Sequence, residues 1–312
     1  MERYSEPLLQ VNHLSLRFRM YDEGLRQRAL WPLSDLDMTV YSGEILAIVG
    51  SSGSGKSLLA HAILGLLPPN ATLGGEMLYN GLPLDAARQK ALRGSEIALI
   101  PQSASYLDPL MQVANQARGA GKNPERAKRQ KAAFRRLELL PAVEKLYPFQ
   151  LSGGMARRVL FSTAVITDAS LIIADEPTPG MQVDQAVGAL SILRELADAG
   201  KGVVLITHDI DLSLRFADRI AVFYAGATLE EMPARDFLAG PSVLRHPYSK
   251  ALWRALPQND FEPIAGSQPY AGALPAGCLF AARCPYKTAA CELEHPPMRE
   301  LRGGRVRCIH AT

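Results

Sequence analysis

The first 277 residues of this 312-residue chain contain no cysteine. No run approaches the about eighteen consecutive apolar residues that a membrane-crossing helix needs, so no segment is expected to span a bilayer. Neither sign of charge dominates, and a formal net charge of +3 does not by itself argue for a nucleic-acid partner. There is no internal repeat and no low-complexity tract, so neither a repeat array nor a disordered tail organises the chain. The opening residues, Met1-Glu2-Arg3-Tyr4-Ser5-Glu6-Pro7, carry acids and lack the apolar core of a secretory leader, and a cytoplasmic protein is expected. What is present is globular: 47% hydrophobic and 21% charged residues, over a length that suits one large or two ordinary domains. The four cysteines, Cys278, Cys284, Cys291 and Cys308, all fall in the last 35 residues. In a cytoplasmic chain that clustering suggests metal before disulfides.

The chain is organised around Gly50-Ser51-Ser52-Gly53-Ser54-Gly55-Lys56-Ser57. An apolar run at residues 45–49 precedes it and another at 58–67 follows, giving strand, glycine-rich loop, helix, the context of a phosphate-binding P-loop. Glycine lets the backbone curl so that its N–H groups face phosphate oxygens, and the helix N-terminus adds partial positive charge. Lys56 is expected to reach the β- and γ-phosphates of a bound nucleotide, and the Ser57 hydroxyl to ligate Mg²⁺. A flexible Ser/Gly linker would not sit between a buried strand and an apolar helix.

Around this loop, residues 8–18 alternate as a strand, 19–32 read as a polar loop or hairpin excursion, and 36–40 resume a strand. Residues 74–81 predict a short strand ending in an Asn-Gly turn, and 97–100 a strand ending at Pro101-Gln102. From 103 to about 164 the pattern is helical. Its basic stretch, with Lys128, Arg129, Lys131, Arg135 and Arg136, reads as the solvated face of a helix whose other face carries Phe134, Leu137 and Leu140. Apolar runs at 171–174 and 202–207 end in Asp175-Glu176 and His208, and residues 219–224 complete the set. Strands alternating with helices, with polar residues at their C-terminal ends, indicate an α/β fold with a parallel sheet and a site along that edge. After about residue 240 prolines punctuate a region that reads as a smaller, separate C-terminal appendage.

Leu151-Ser152-Gly153-Gly154-Met155 lies just upstream of the Asp175-Glu176 strand. A serine and bare backbone N–H groups at a helix start repeat the P-loop logic. This pentapeptide, in order with the P-loop and Asp175-Glu176, resembles the signature of the ATP-binding cassette (ABC) family over roughly residues 8–240. The resemblance implies a P-loop NTPase core with a helical subdomain at about 103–164, and a signature that contacts ATP in a second cassette. It further implies that Phe18 stacks on adenine, that Gln102 touches Mg²⁺ or the attacking water, and that Asp175 supports Mg²⁺. Glu176 is then the general base and His208 a contact to the γ-phosphate. One position departs from the family: Gln182 stands where an aspartate is usual in the loop after Asp175-Glu176. That loop acts across the dimer, so an unequal pair with a paralogous ATPase is expected rather than a homodimer.

The gaps between the cysteines are five, six and sixteen residues. Together with His246-Pro247-Tyr248-Ser249-Lys250-Ala251-Leu252, they make residues 241–312 resemble the C-terminal extension of ATPases in the oligopeptide/dipeptide/nickel branch of ABC importers. Some members of that branch hold an iron–sulfur cluster there. Four thiolates can ligate a [4Fe–4S] cluster or Zn²⁺, and the absence of short CxxC knuckles favours the cluster. The implied protein is a peripheral ATPase on the cytoplasmic face of the inner or plasma membrane. It would power two membrane permease subunits fed by an extracytoplasmic substrate-binding protein, with peptides, nickel or a metal chelate as cargo and no nucleic acid involved. The alternatives are a soluble ABC-type ATPase acting on nucleic acid or ribosomes, and a redox- or metal-sensing regulatory ATPase.

Overall fold

The computed structural model describes residues 6–22, 24, 26–119 and 123–312; residues 1–5, on which the expectation of no leader partly rests, lie outside them. β1 (Pro7–Tyr21) and β2 (Gln27–Tyr41) form one long antiparallel ladder running from Pro7 opposite Tyr41 to Tyr21 opposite Gln27. Most of the stretch expected as a polar excursion is therefore strand. The backbone of its strand residues is satisfied by the ladder, and beyond Phe18 most of its described side chains face solvent, so no apolar alternation marks it.

The chain then enters β3 (Ile45–Gly50), the P-loop and α1 (Lys56–Leu64). β4 (Ala71–Tyr79) returns beside β1, and β5 (Leu82–Pro83) completes a four-stranded antiparallel sheet in the order β2-β1-β4-β5. Asn80 and Gly81, with φ of 50° and 69°, make the expected tight turn between β4 and β5.

Next come α2 (Ala86–Leu92), β6 (Ile97–Ile100), α3 (Val113–Arg118), α4 (Pro124–Arg136) and α5 (Gly153–Val165). The region expected to be helical is thus several helices separated by turns, with Pro141 and Pro148 each opening a single 3₁₀ turn. The expected apolar face holds for Phe134 on α4 and for Leu137 at its C-cap, which are buried, but Leu140 is 72% exposed. The helix ends at Arg136, and the chain has left its axis by Leu140. Arg129 and Arg136 pair with Asp168 and Glu195, as a solvated basic face would.

β7 (Leu171–Asp175), α6 (Val183–Asp198), β8 (Gly202–Ile206), α7 (Ile210–Leu214), β9 (Arg219–Tyr224) and β10 (Ala227–Pro233) follow. After them come α8 (Ala234–Leu238), α9 (Pro247–Arg254), α10 (Ala290–Leu293), β11 (Arg299–Leu301) and β12 (Gly304–Val306). The second sheet has eight strands, ordered β11-β12-β10-β9-β3-β8-β7-β6. From β9 to β6 the neighbours are parallel, and β3, β7 and β8 are covered on both faces, which is why they read as unbroken apolar runs.

The alternation of the buried strands divides the core. Ile172, Ala174, Val203 and Leu205 pack into one cluster with α5 and α6. Leu171, Ile173, Val204 and Ile206 pack on the other side with α1 and the antiparallel sheet. The P-loop helix and the signature helix therefore lie on opposite faces of the large sheet.

Residues 241–312 are not set apart from this core. β12 pairs with β10, and Cys278, Leu279 and Phe280 share a cluster with Val222, Tyr224 and Phe237. The sequence disguised this docking because β10 carries Glu230 and Glu231 at buried positions. Both are neutralised by arginines: Arg245 on Glu230, and Arg219 and Arg305 on Glu231.

Candidate active site

Gly50 closes β3 at φ 150°, and a Cβ there would collide with the carbonyl oxygen of Phe223 on β9. Gly55 takes φ 94° at the start of α1, which has no side-chain cap. The first N–H groups of α1 are thereby left to an anionic ligand. Lys56 Nζ donates to the carbonyl oxygens of Gly50 and Ser51, each at 3.0 Å. Burial pushes the Lys56 amine below its usual range, against the opposing carboxylates of Glu176 and Asp175. The cation lies folded over its own loop.

Asp175 ends β7 almost fully buried and accepts a 3.1 Å hydrogen bond from Ser57 Oγ. Burial raises its carboxyl above the ordinary value, and the Ser57 bond works the other way. Both side chains are oxygen donors of the kind Mg²⁺ selects. Glu176 follows with φ 49°, a conformation unusual for a non-glycine residue and common at working sites. Its N–H donates to Ile206 O at 2.9 Å, and its carbonyl accepts from Arg157 Nη1 at 2.8 Å. Its Oε2 stands 2.5 Å from His208 Nδ1. The Glu176 side chain is 11% exposed and that of His208 is 68% exposed, so a mostly buried carboxylate meets an open imidazole at the sheet edge.

Lys56, Ser57, Asp175, Glu176 and His208 thus converge. Gln102 stands exposed in the bend after β6. Phe18 is half-buried on β1, opposite Leu30 and Ala71, packed on the cluster that includes Leu59 and Ile63. Ser152 caps α5, accepting from Met155 N at 3.2 Å, with Gly153 and Gly154 opening the helix. Because α5 and α1 occupy opposite sheet faces, the signature and the P-loop of one chain do not share a face. Gln182 is exposed at the start of α6 and makes no side-chain cap.

The four thiols come close enough for Cys308, Cys291 and Cys284 each to hold the Cys278 thiol up, adding to the burial that pushes it to about 11. His310 Nε2 lies 3.3 Å from Cys291 Sγ. Sequence reasoning missed Arg157, Tyr248 and Gln268 as neighbours of the site. Arg157 lies one turn along α5 from Gly153 of the signature, a position a helical projection could have proposed. Tyr248 sits in a motif already noted, and Gln268 carries no local signal.

A family model described as ABC transporter matches residues 33–179, and one described as oligopeptide/dipeptide transporter, C-terminal region, matches residues 229–291. The chain is 35% identical to the oligopeptide transport ATP-binding protein OppD of Salmonella typhimurium, covering 96% of this chain and 92% of that one. It is 34% identical to the dipeptide transport ATP-binding protein DppD of Haemophilus influenzae, covering 96% and 94%. A solved dimeric structure of the ATP-binding cassette MJ0796 in a post-hydrolysis state, bound to ADP and Pi, is similar with a TM-score of 0.64 and 27% identity. It covers 73% of this chain and 99% of that one.

Proposed function

The chain belongs to the ATP-binding cassette transporter family, as the ATP-hydrolysing subunit of an importer, and on that premise we propose that the cargo it powers is peptide. The observation that carries this reading is near full-length similarity to OppD and DppD, together with the extension model at residues 229–291. The same likeness favours an importer over a soluble ATPase acting on nucleic acid.

In the mechanism we propose, the P-loop N–H groups and Lys56 take the negative charge of the ATP phosphates. Glu176 accepts a proton from the attacking water, and His208 orients Glu176 in the resting site and faces the γ-phosphate when ATP is bound. Phe18 provides the surface for adenine. Ser57 and Asp175, with Gln102, would hold Mg²⁺, which would neutralise charge on the phosphate oxygens. The placement of α1 and α5 on opposite faces supports a signature, Leu151 to Gly154, that serves the ATP of a second cassette. The exposed Gln182 supports a paralogous ATPase as that second cassette. Among the described residues no helix is long and apolar enough to cross a membrane, so attachment to the cytoplasmic face would run through the permease subunits. Residues 1–240 would form the ATPase unit and 241–312 the extension.

For the cysteines we propose a [4Fe–4S] cluster. Four converging thiols, three of them buried, fit a soft-metal group. A tetrahedral Zn²⁺ would draw its sulfurs to about 3.8 Å of one another. Among the described residues, the only three or more His, Cys or acidic donors lying within 4.8 Å of one another are those of His13, Asp35 and Asp37. The wider thiol set suits the larger cluster. Anaerobically purified full-length protein is expected to carry iron and acid-labile sulfide, and Cys284→Ser to lose most of both. One zinc per chain with no sulfide would overturn the assignment.

The cargo is tested by uptake of a labelled peptide in cells carrying wild type or Lys56→Ala. Uptake is expected to fall at least about tenfold with Lys56→Ala, while cellular nickel stays unchanged. Unchanged peptide uptake with a fall in nickel would overturn the peptide reading.

A further inference from the structure

Two side chains of the extension reach the P-loop. The hydroxyl oxygen of Tyr248, from the His-Pro-Tyr-Ser motif on α9, accepts from Ser51 N at 3.3 Å. Gln268 Oε1 accepts from Ser51 Oγ at 3.0 Å, and Gln268 Nε2 donates to Ser52 O at 3.3 Å. Each is itself anchored. The Tyr248 ring is fully buried between Tyr224 and Phe280, with ring centroids 4.6 Å and 5.3 Å away. The segment before Gln268 is tied down by Arg283, which donates to Ala265 O at 2.7 Å and Ile264 O at 2.8 Å. The segment after it is held where Trp31 N donates to Ala271 O at 2.8 Å.

We propose that Tyr248 and Gln268 are positioning residues for nucleotide binding. They fix Ser51 and Ser52, in the first half of the P-loop, in the curled form that aims the loop's N–H groups at phosphate. The loop from Gly50 to Gly55 holds three glycines and three serines and has little stiffness of its own. Ordering it before the ligand arrives removes a cost that binding would otherwise carry. Phe280 and Arg283 lie between Cys278 and Cys284 or beside them in the chain, so the clamp is built on the same short segment that presents two of the four thiols. This gives the extension a direct mechanical hold on the nucleotide site. The inference rests on the P-loop being the nucleotide site.

The test is ADP binding to the full-length chain by titration calorimetry, with KM and kcat for ATP measured in the assembled transporter. Tyr248→Phe keeps the ring stack and removes only the hydroxyl. Tyr248→Phe and Gln268→Ala are each expected to raise the ADP Kd and the ATP KM about three- to tenfold, with kcat within about twofold. Gln268→Glu keeps the acceptor for Ser51 and is expected to recover part of the loss. In a Ser51→Ala background, Gln268→Ala is expected to cost markedly less than in wild type, the sign of a direct pair. A Kd unchanged in both single variants, or a fall in kcat with Kd preserved, would overturn the proposal. Lys56→Ala separates the two levels: if it leaves ADP binding intact, the P-loop reading itself fails and the clamp falls with it.

Discussion

Glu176→Gln is expected to bind ATP as tightly as wild type and to hydrolyse it at least about a hundredfold more slowly. The glutamine has the size of the native side chain and keeps one oxygen for His208, so the 2.5 Å pairing is replaced rather than emptied. What it loses is the ability to take a proton. The backbone around it is held independently of that carboxylate, by the bonds from Glu176 N to Ile206 O and from Arg157 to Glu176 O. A fall in rate therefore reports chemistry rather than a displaced loop. His208→Ala is expected to be slower than wild type but faster than Glu176→Gln, because it frees the base without removing it. Single-turnover hydrolysis of pre-bound ATP is the measurement, and hydrolysis by Glu176→Gln within about tenfold of wild type would remove Glu176 as base. The same variant tests pairing. Alone with ATP it is expected to remain monomeric, and to dimerise when the partner ATPase is added; a stable homodimer would contradict the unequal pair drawn from Gln182.

Arg307→Ala is expected to destabilise the protein by about 3–5 kcal/mol, seen as a fall in melting temperature on the order of 10 °C. The Arg307 guanidinium is buried and joins the C-terminus to the antiparallel sheet through five hydrogen bonds. These go to the Asp35 and Asp37 carboxylates, each at 2.5 Å, and to the carbonyl oxygens of Asp35, Pro296 and Thr228. Asp37 is 5% exposed as a side chain, and removing its cation leaves a buried charge whose other close contacts are the His13 backbone N–H and side chain. The same geometry explains why His13, Asp35 and Asp37, although close together, already have a resident cation. Arg307→Lys is expected to recover little, since a single ammonium cannot span two carboxylates and three carbonyls. A melting temperature unchanged in Arg307→Ala would show that β12 and the chain end dock without this anchor.

Much of the candidate nucleotide site was legible along the chain because its chemistry is contiguous. A P-loop must place glycines, lysine and serine within eight residues of one strand and one helix. Asp175, Glu176 and His208 announce themselves by ending apolar strands, and a parallel sheet brings such ends to one edge. Polar β-structure was not legible: residues 19–32 lie mostly in a ladder that needs no apolar side chains, and β10 hides two buried glutamates behind arginines from distant segments. The exposure of Leu140 was misread because a helix-period pattern does not show where the helix stops.

By itself, then, the sequence determined the class of catalyst, the loop proposed to meet phosphate and the carboxylate proposed to activate water, since each is a local pattern with a local physical cause. Only the tertiary structure decided what surrounds them. Ser51 meets Gln268 across 217 positions, and Arg307 meets Asp35 across 272. Such pairs leave no periodicity or spacing to read. The first exists because Arg283 and Trp31 hold the segment around Gln268 against the loop, the second because β12 docks on β10 and a buried charge must find a partner wherever the fold brings one.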